Sequence, residues 1–347
     1  MRHAQRAGVF RTRGFSLIEL MISLTIGLVI AGAAFAAYMG TTGASRMAEA
    51  QGRMNEDAQA ALTILTQQLR MAGNNPVQPN RVDNPLPTLS SRHNPVYLPA
   101  PTYADTTLAP ATFALSAFSV RGCDNQFSNL ASASTLDALT CSSGSGIGPG
   151  AIAVSYEADR FNTVPTEAGL PSDCAGNALG RLTATLPVMA GSAGSTSSNS
   201  AAVHYAVADN RFYIASSAGV PSLYCKGNGG NGAARPQALV ENIEDLRFTY
   251  GVVSTATTAS TATVAGYLSA TDIVTQADLA ALPDDAARWA KVITIRICVL
   301  VRSEAAVVAD AASAHYLSCD GTLETAAPDL RLRRAYSSTV LLRNRRL

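Results

Sequence analysis

The sequence predicts an α+β protein: a long N-terminal α-helix packed on a β-rich globular head with antiparallel sheet. Three observations carry that expectation. Residues 15–39 read FSLIELMISLTIGLVIAGAAFAAYM, with Glu19 as the one charge. Helical spacing of apolar residues then continues to a Gly-Asn-Asn-Pro stop at 73–76. Beyond it the chain changes to short β-branched runs, Gly/Ser/Asn loops and six dispersed cysteines.

The first 14 residues hold Arg2, Arg6, Arg11 and Arg13 and no acid. Arginines before an apolar run and none within it keep the N-terminus cytoplasmic and export the bulk. The run is long enough to cross a hydrocarbon core of about 30 Å as a helix. Glu19 is unusual there, because a carboxylate costs roughly 2.5–3.5 kcal/mol at mid-bilayer and calls for a partner. A conventional signal peptide is the rival reading, since Ala31-Gly32-Ala33 and Ala34-Phe35-Ala36 both fit a small-residue cleavage site. Against it stand Glu19 inside the run and helical patterning that passes the cut.

Met47, Met54, Ala58, Ala61, Leu62, Leu65, Leu69 and Ala72 describe one stripe on a helix, with polar Gln51, Asn55, Glu56, Gln59 and Gln67 around it. One helix from Phe15 to about Met71 is expected, roughly 85 Å long at 1.5 Å per residue. Its first half is apolar all round and its second half amphipathic, so the second half should dock on the head. The organisation read from this is a leader over 1–14, a helix over 15–72 and a head over 73–347.

In the head, residues 74–110 read as an extended Pro/Asn-rich connector. Strands are expected at Thr112–Val120, Ala151–Tyr156, Ala202–Val207, Arg211–Ala215, Leu239–Tyr250, Lys291–Arg302 and Arg333–Leu342. Ala208-Asp209-Asn210 reads as a tight hairpin connection. From Lys291 the pattern alternates, with Ile293, Ile295, Ile297 and Val299 on one face. Stretches 191–200, 226–234 and 253–261 read as low-complexity loops. The Gly/Asn loop among them lacks acidic ligands for a cation.

Cys123, Cys141, Cys174, Cys225, Cys298 and Cys319 include no C-x-x-C pair, so metal spacing is absent and no metal or other cofactor is expected. An even number of dispersed cysteines after an export-type segment reads as disulfides. Near-neighbour pairing is favoured among the possible connectivities: Cys123 with Cys141, Cys174 with Cys225, Cys298 with Cys319. His3, His93, His204 and His315 form no metalloprotease pattern, and no nucleophile elbow or phosphate loop is present. No catalytic residue and no enzyme activity are expected. Without the four leader arginines, 22 basic residues face 25 acidic ones, a balance with no general attraction to nucleic acid.

Arg13-Gly14-Phe15-Ser16-Leu17-Ile18-Glu19-Leu20-Met21 resembles the class III signal of type IV prepilins and type II secretion pseudopilins. The resemblance implies the type IV pilin fold, cleavage after Gly14 by the prepilin peptidase, and N-methylation of Phe15. It implies further that Glu19 pairs with the N-terminal amine of a neighbouring subunit during assembly. A second, looser resemblance runs through Glu241-Asn242-Ile243-Glu244-Asp245-Leu246, Tyr250-Gly251, Trp289 and the closing Leu342-Arg343-Asn344-Arg345. It is similar to the C-terminal part of PilW-type minor pilins; J-type minor pseudopilins share the first of these segments and the Trp before a strand. It implies a subunit that primes pilus assembly and sits at or near the tip, supporting twitching motility and adhesion. Implied partners are other minor pilins, the major pilin, the prepilin peptidase, the inner membrane and, as a further candidate, a tip adhesin. Implied location is a single inner-membrane pass with a periplasmic head, then the pilus on the cell surface. The alternatives are a J-type pseudopilin and, from another class, a membrane-anchored exported enzyme or binding module. Ile243, Leu246, Phe248 and Trp289 read as core, and the arginines over 331–346 as solvated strand faces or subunit contacts.

Overall fold

The computed structural model describes residues 14–74, 102–103, 118–133, 135–143, 148–187, 200–232, 235–254 and 263–344. The leader arginines, His93, most of the 74–110 connector and most of the loops at 191–200 and 253–261 lie outside the described residues. The chain divides into two units, Met1–Ala50 and Gln51–Leu347. Helix α1, Leu17–Met71, runs as one element of 55 residues across that boundary.

In the first unit every residue from Gly14 to Gly40 is exposed. In the second, Met54, Ala58, Ala61, Leu65 and Leu69 are each at most 1% exposed, at spacings of three and four that keep them on one helix face. Ala58 and Ala61 keep the middle of that stripe small. The stripe joins the apolar faces of both sheets in one core. Polar bonds fix the docking. The Gln68 side-chain carbonyl accepts from the Tyr156 hydroxyl at 3.2 Å and from the Asn210 amide at 2.8 Å. Tyr336 donates to the Asn55 side chain at 2.5 Å, and the Asn344 amide to the Arg70 carbonyl at 2.9 Å. The exposed Arg53–Glu304 pair at 3.1 Å adds little beside these. Burial pushes the Tyr156 hydroxyl up to about 12 against its bonds to Gln68 and Asn210, so it stays a protonated donor.

Among the described residues the head holds two main antiparallel sheets. The first has seven strands: β1 Thr102–Tyr103, β2 Val120–Cys123, β3 Ala151–Ala158, β4 Arg181–Pro187, β5 Ser200–Ser217, β6 Val220–Lys226 and β7 Gln237–Glu241. β5 organises it, with β3 along its middle, β4 on its first half and β6 on its second. The second sheet has the order β13-β10-β8-β9, from β8 Ile243–Val253, β9 Val264–Leu268, β10 Val292–Ala306 and β13 Arg331–Leu341. Between β9 and β10 lie α2 Ala270–Thr275, α3 Ala277–Ala280 and α4 Asp285–Ala290, and a small ladder pairs β11 Tyr316–Leu317 with β12 Leu323–Glu324. Asp124 reaches the start of α2, accepting from the Ala270 and Thr271 N–H groups at 2.9 and 2.8 Å.

Several expectations are corrected. Ala208-Asp209-Asn210 is no turn. These residues pair with Tyr156, Ser155 and Val154 in mid-strand, and Asn210 also accepts from the Cys174 N–H at 3.0 Å. Polar residues that look like a local turn are satisfied by partners distant in sequence. The hairpin turn is Ala218-Gly219, at φ 51° and 79°, where a two-residue connection of this hand needs positive φ at both positions and Gly219 takes one without strain. The run expected over Leu239–Tyr250 is two strands in different sheets, broken at Asn242 with φ 60°. The first described strand of the head's core starts at Val120, where the expected one ended; 112–117 lie outside the described residues. In β10 Val292 is buried and Ile293 half-buried, because a bulge between Val292 and Thr294 shifts the alternation before Ile295, Ile297 and Val299 turn inward. β1, β4, β6, β9, β11, β12 and the three short helices have no counterpart among the expected elements.

The single tryptophan, Trp289, is 2% exposed and edge-on to Tyr250 at 4.9 Å, so its emission reports the core. In detergent, Leu65→Ala should lower the unfolding free energy by about 2–5 kcal/mol in urea titrations followed at Trp289. Leu28→Ala, at an exposed position, should change it by less than about 0.5 kcal/mol. Equal effects would refute the docking described above.

Candidate assembly interface

The candidate segment is Gly14–Met39. Gly14, Phe15 and Ser16 precede the helix, and Phe15 is 84% exposed. Ser16 caps the first turn. Its hydroxyl accepts from the Glu19 N–H at 3.2 Å, and the Glu19 carboxylate accepts from the Ser16 N–H at 3.4 Å. This reciprocal pair is a capping box, with the S-x-x-E spacing that announces it in sequence. Glu19 thereby sits in the first turn, where the helix dipole favours negative charge. Along the same segment the Ser23 and Thr25 hydroxyls donate to the Leu20 and Ile22 carbonyls at 3.0 and 2.9 Å. The segment thus meets its own polar needs and presents hydrocarbon. Leu17, Ile18, Leu24, Leu28, Val29, Ile30 and Phe35 are each more than half exposed. Removing such side chains from water yields about 1.5–3 kcal/mol each. A stripe of this length demands a bilayer or packed helices around it. Among the described residues α1 is the one helix long and apolar enough to cross a membrane.

The C-terminal motifs build the junction of the two sheets. Asn242 accepts from the Arg302 N–H through its backbone carbonyl at 2.9 Å, tying the switch between sheets to β10. Ile243 and Leu246 are fully buried, Trp289 nearly so, and Phe248 is 6% exposed. Glu244 takes Arg333 in a two-pronged pair at 2.6 and 2.9 Å, and Arg333 also donates to Asp329 at 2.7 Å. The Arg302 guanidinium adds a second cation to Glu244 at 3.5 Å. With its side chain 1% exposed, Arg333 is neither a solvated strand face nor a subunit contact, which corrects the expectation for this one arginine, while Arg334 and Arg343 are exposed as expected. A buried guanidinium persists only with partners on its fork; Asp329 lies four residues before it and Glu244 comes from a strand 89 residues away.

Three disulfides close in the head: Cys123–Cys141, Cys174–Cys225 and Cys298–Cys319, with Cα separations of 5.5, 6.2 and 5.7 Å. The Gly/Asn loop has structural bonds, since Gly229 donates to Asp173 at 2.9 Å and the Asn228 amide to the Val207 carbonyl at 3.0 Å. His204 meets Thr183 at 2.9 Å and His315 the Ala312 carbonyl at 2.8 Å. Among the described residues no cluster of His, Cys, Asp or Glu could hold a metal.

Burial raises the Asp329 carboxyl, but bonds from the Arg333 guanidinium and the Arg331 N–H outweigh it and hold the group below its ordinary value. A depressed folded-state pKa gives stability that is complete above about pH 4 and is lost as pH falls through the folded value. Arg333→Met should destabilise by about 3 kcal/mol, since Glu244 keeps Arg302 and Asp329 is part-exposed. It should also flatten the acid limb of the stability–pH profile between about pH 5 and 3. Urea midpoints across that range check both outcomes.

The family model described as type IV pilus-assembly protein W matches residues 211–344. The prokaryotic N-terminal methylation motif matches residues 10–35. No curated protein and no solved structure matches the chain. The first match covers β10, β13 and the sheet junction; the second covers the start of α1 and its capping box. The apolar helix with this motif fits a single-pass inner-membrane anchor. Over these two segments the chain matches the family of type IV pilus-assembly protein W and the methylation motif of prepilin-like pilins.

Proposed function

We propose that this chain is a minor pilin that primes assembly of a type IV pilus and sits at or near its tip, supporting twitching motility and adhesion. Its role is structural rather than catalytic. The observation that carries the reading is the exposed apolar half of α1, beginning at a capped carboxylate and matched by the methylation motif. The leader over 1–14 is removed at Gly14–Phe15 and the new amine of Phe15 is methylated. The mature helix anchors the subunit in the inner membrane with its head in the periplasm, and later joins the helix bundle of the filament on the cell surface.

Glu19 is the assembly carboxylate. Before assembly it has the Ser16 N–H at 3.4 Å, a long bond that an incoming amine can replace. A cation beside a carboxylate in hydrocarbon gains far more than it would in water, provided both are desolvated together. The neighbouring subunit's N-terminal amine supplies that cation. Other minor pilins, the major pilin and a tip adhesin are the partners, and the prepilin peptidase acts first.

Deleting the gene should sharply reduce surface piliation, and re-expressing the chain should restore it. Re-expression of Glu19→Ala should leave the protein in the inner membrane and piliation low, read by immunoblot of sheared and membrane fractions. Normal piliation in the deletant, or full rescue by Glu19→Ala, would refute the priming role.

A further inference from the structure

Outside the assembly segment, the outer face of the four-stranded sheet carries a cleft of about 420 Å³. Arg247, Thr249, Arg296, Ser337, Leu317 and Tyr336 line it. The first four come from β8, β10 and β13. Leu317 comes from the β11–β12 ladder, which the Cys298–Cys319 disulfide ties to β10. In the sheet register Cys298 lies between Arg247 and Ser337, and Arg296 is opposite Thr249. One row of the sheet therefore offers guanidinium and hydroxyl groups side by side.

The two arginines differ. Arg247 is committed: it pairs with Asp245 at 2.9 Å and donates to the Asp124 carbonyl at 3.3 Å. Asp320, on the ladder's turn, is held by the Ser318 hydroxyl at 2.5 Å and the Thr322 N–H at 2.8 Å. Arg296 makes no ion pair among the described residues. Its guanidinium lies 3.5 Å above the ring of Tyr267, which is outside the cleft lining. The stack fixes the plane of the fork and leaves its N–H edges for a ligand.

That platform is built. The Thr294 hydroxyl donates to the Tyr267 oxygen at 3.3 Å. Gly251 sits opposite Tyr267 on β9 and Thr294 on β10. A Cβ there would overlap the Thr294 hydroxyl and come within 3.1 Å of the Tyr267 ring. The Tyr250-Gly251 pair noted in the sequence thus serves two sites, Tyr250 in the core and Gly251 beneath the platform.

We propose that this cleft binds a carboxylate carried on an acidic peptide segment of a partner protein, with Arg296 as the anion-binding group and the Thr249 hydroxyl, opposite it in the sheet, beside it. A planar carboxylate matches a planar fork. Leu317, 55% exposed, gives the cleft an apolar wall, which suits an apolar residue next to the acid better than a hydroxyl-rich sugar. The inference does not depend on where the chain sits in a pilus, because it concerns the isolated protein.

The test is fluorescence anisotropy with the full-length chain in detergent and a labelled peptide of alternating Glu and Leu. Binding is expected, with weakening as salt is raised. Arg296→Gln should weaken it by about tenfold or more, while Tyr267→Phe, which keeps the ring, should leave it within about twofold. Trp289 emission and circular dichroism verify that both variants are folded. No binding at millimolar peptide, equal binding of a control peptide of alternating Gln and Leu, or unchanged affinity in Arg296→Gln would overturn the proposal. Tighter binding of an oligogalacturonate would replace the peptide by an acidic sugar. Displacement by equimolar inorganic phosphate would overturn the carboxylate assignment.

Discussion

The stripe of Met54, Ala58, Ala61, Leu65 and Leu69 seals α1 into a core that contains residues of both sheets. Without it the inward residues of β8, β10 and β3 would face water across one side. Hydrophobic burial is non-directional, so the stripe alone does not set the register of the helix. Gln68 with Tyr156 and Asn210, Asn55 with Tyr336, and Asn344 with the Arg70 carbonyl set it. Earlier in the same helix the apolar residues are exposed on every side, and that half meets its requirement only in lipid or among other helices.

The head depends on a second constraint, the transfer of the chain from one sheet to the other. Asn242 makes the transfer in a left-handed conformation that Asn tolerates better than most residues. One residue on either side of it the chain belongs to different sheets, and Glu244 follows at once. Its pair with Arg333 joins the start of β8 to the far edge strand β13 through a contact nearly closed to water. Removal of the cation would leave Glu244 with the longer Arg302 contact alone, and the buried network serves specificity more than net stability.

The helix was legible because periodicity and length are local properties, and its end at Met71 follows the Gly-Asn-Asn-Pro signal closely. The strands at 151–158, 292–306 and 331–341 were legible for the same reason. What escaped was non-local. Asp209 and Asn210 have a turn-like composition, yet their partners are Gln68, Tyr156, Asn228 and the Cys174 backbone. Arg333 looks like a surface charge until Glu244, 89 residues away, is placed beside it. At the candidate site, Ser16-Leu17-Ile18-Glu19 is a capping box readable in the sequence from its Ser and Glu three residues apart. The short helices of 270–290 also had signals in Ser269 and Asp284, which cap α2 and α4.

The central claim is that the apolar half of α1 is filament core in a mature chain that begins at Phe15. Mass spectrometry of sheared, purified filaments tests it directly. The account predicts peptides of this chain at low ratio to the major subunit, with an N-terminal peptide starting at methylated Phe15. Its absence from the filaments, or an N-terminus at Ala34 or Ala37, would contradict the account.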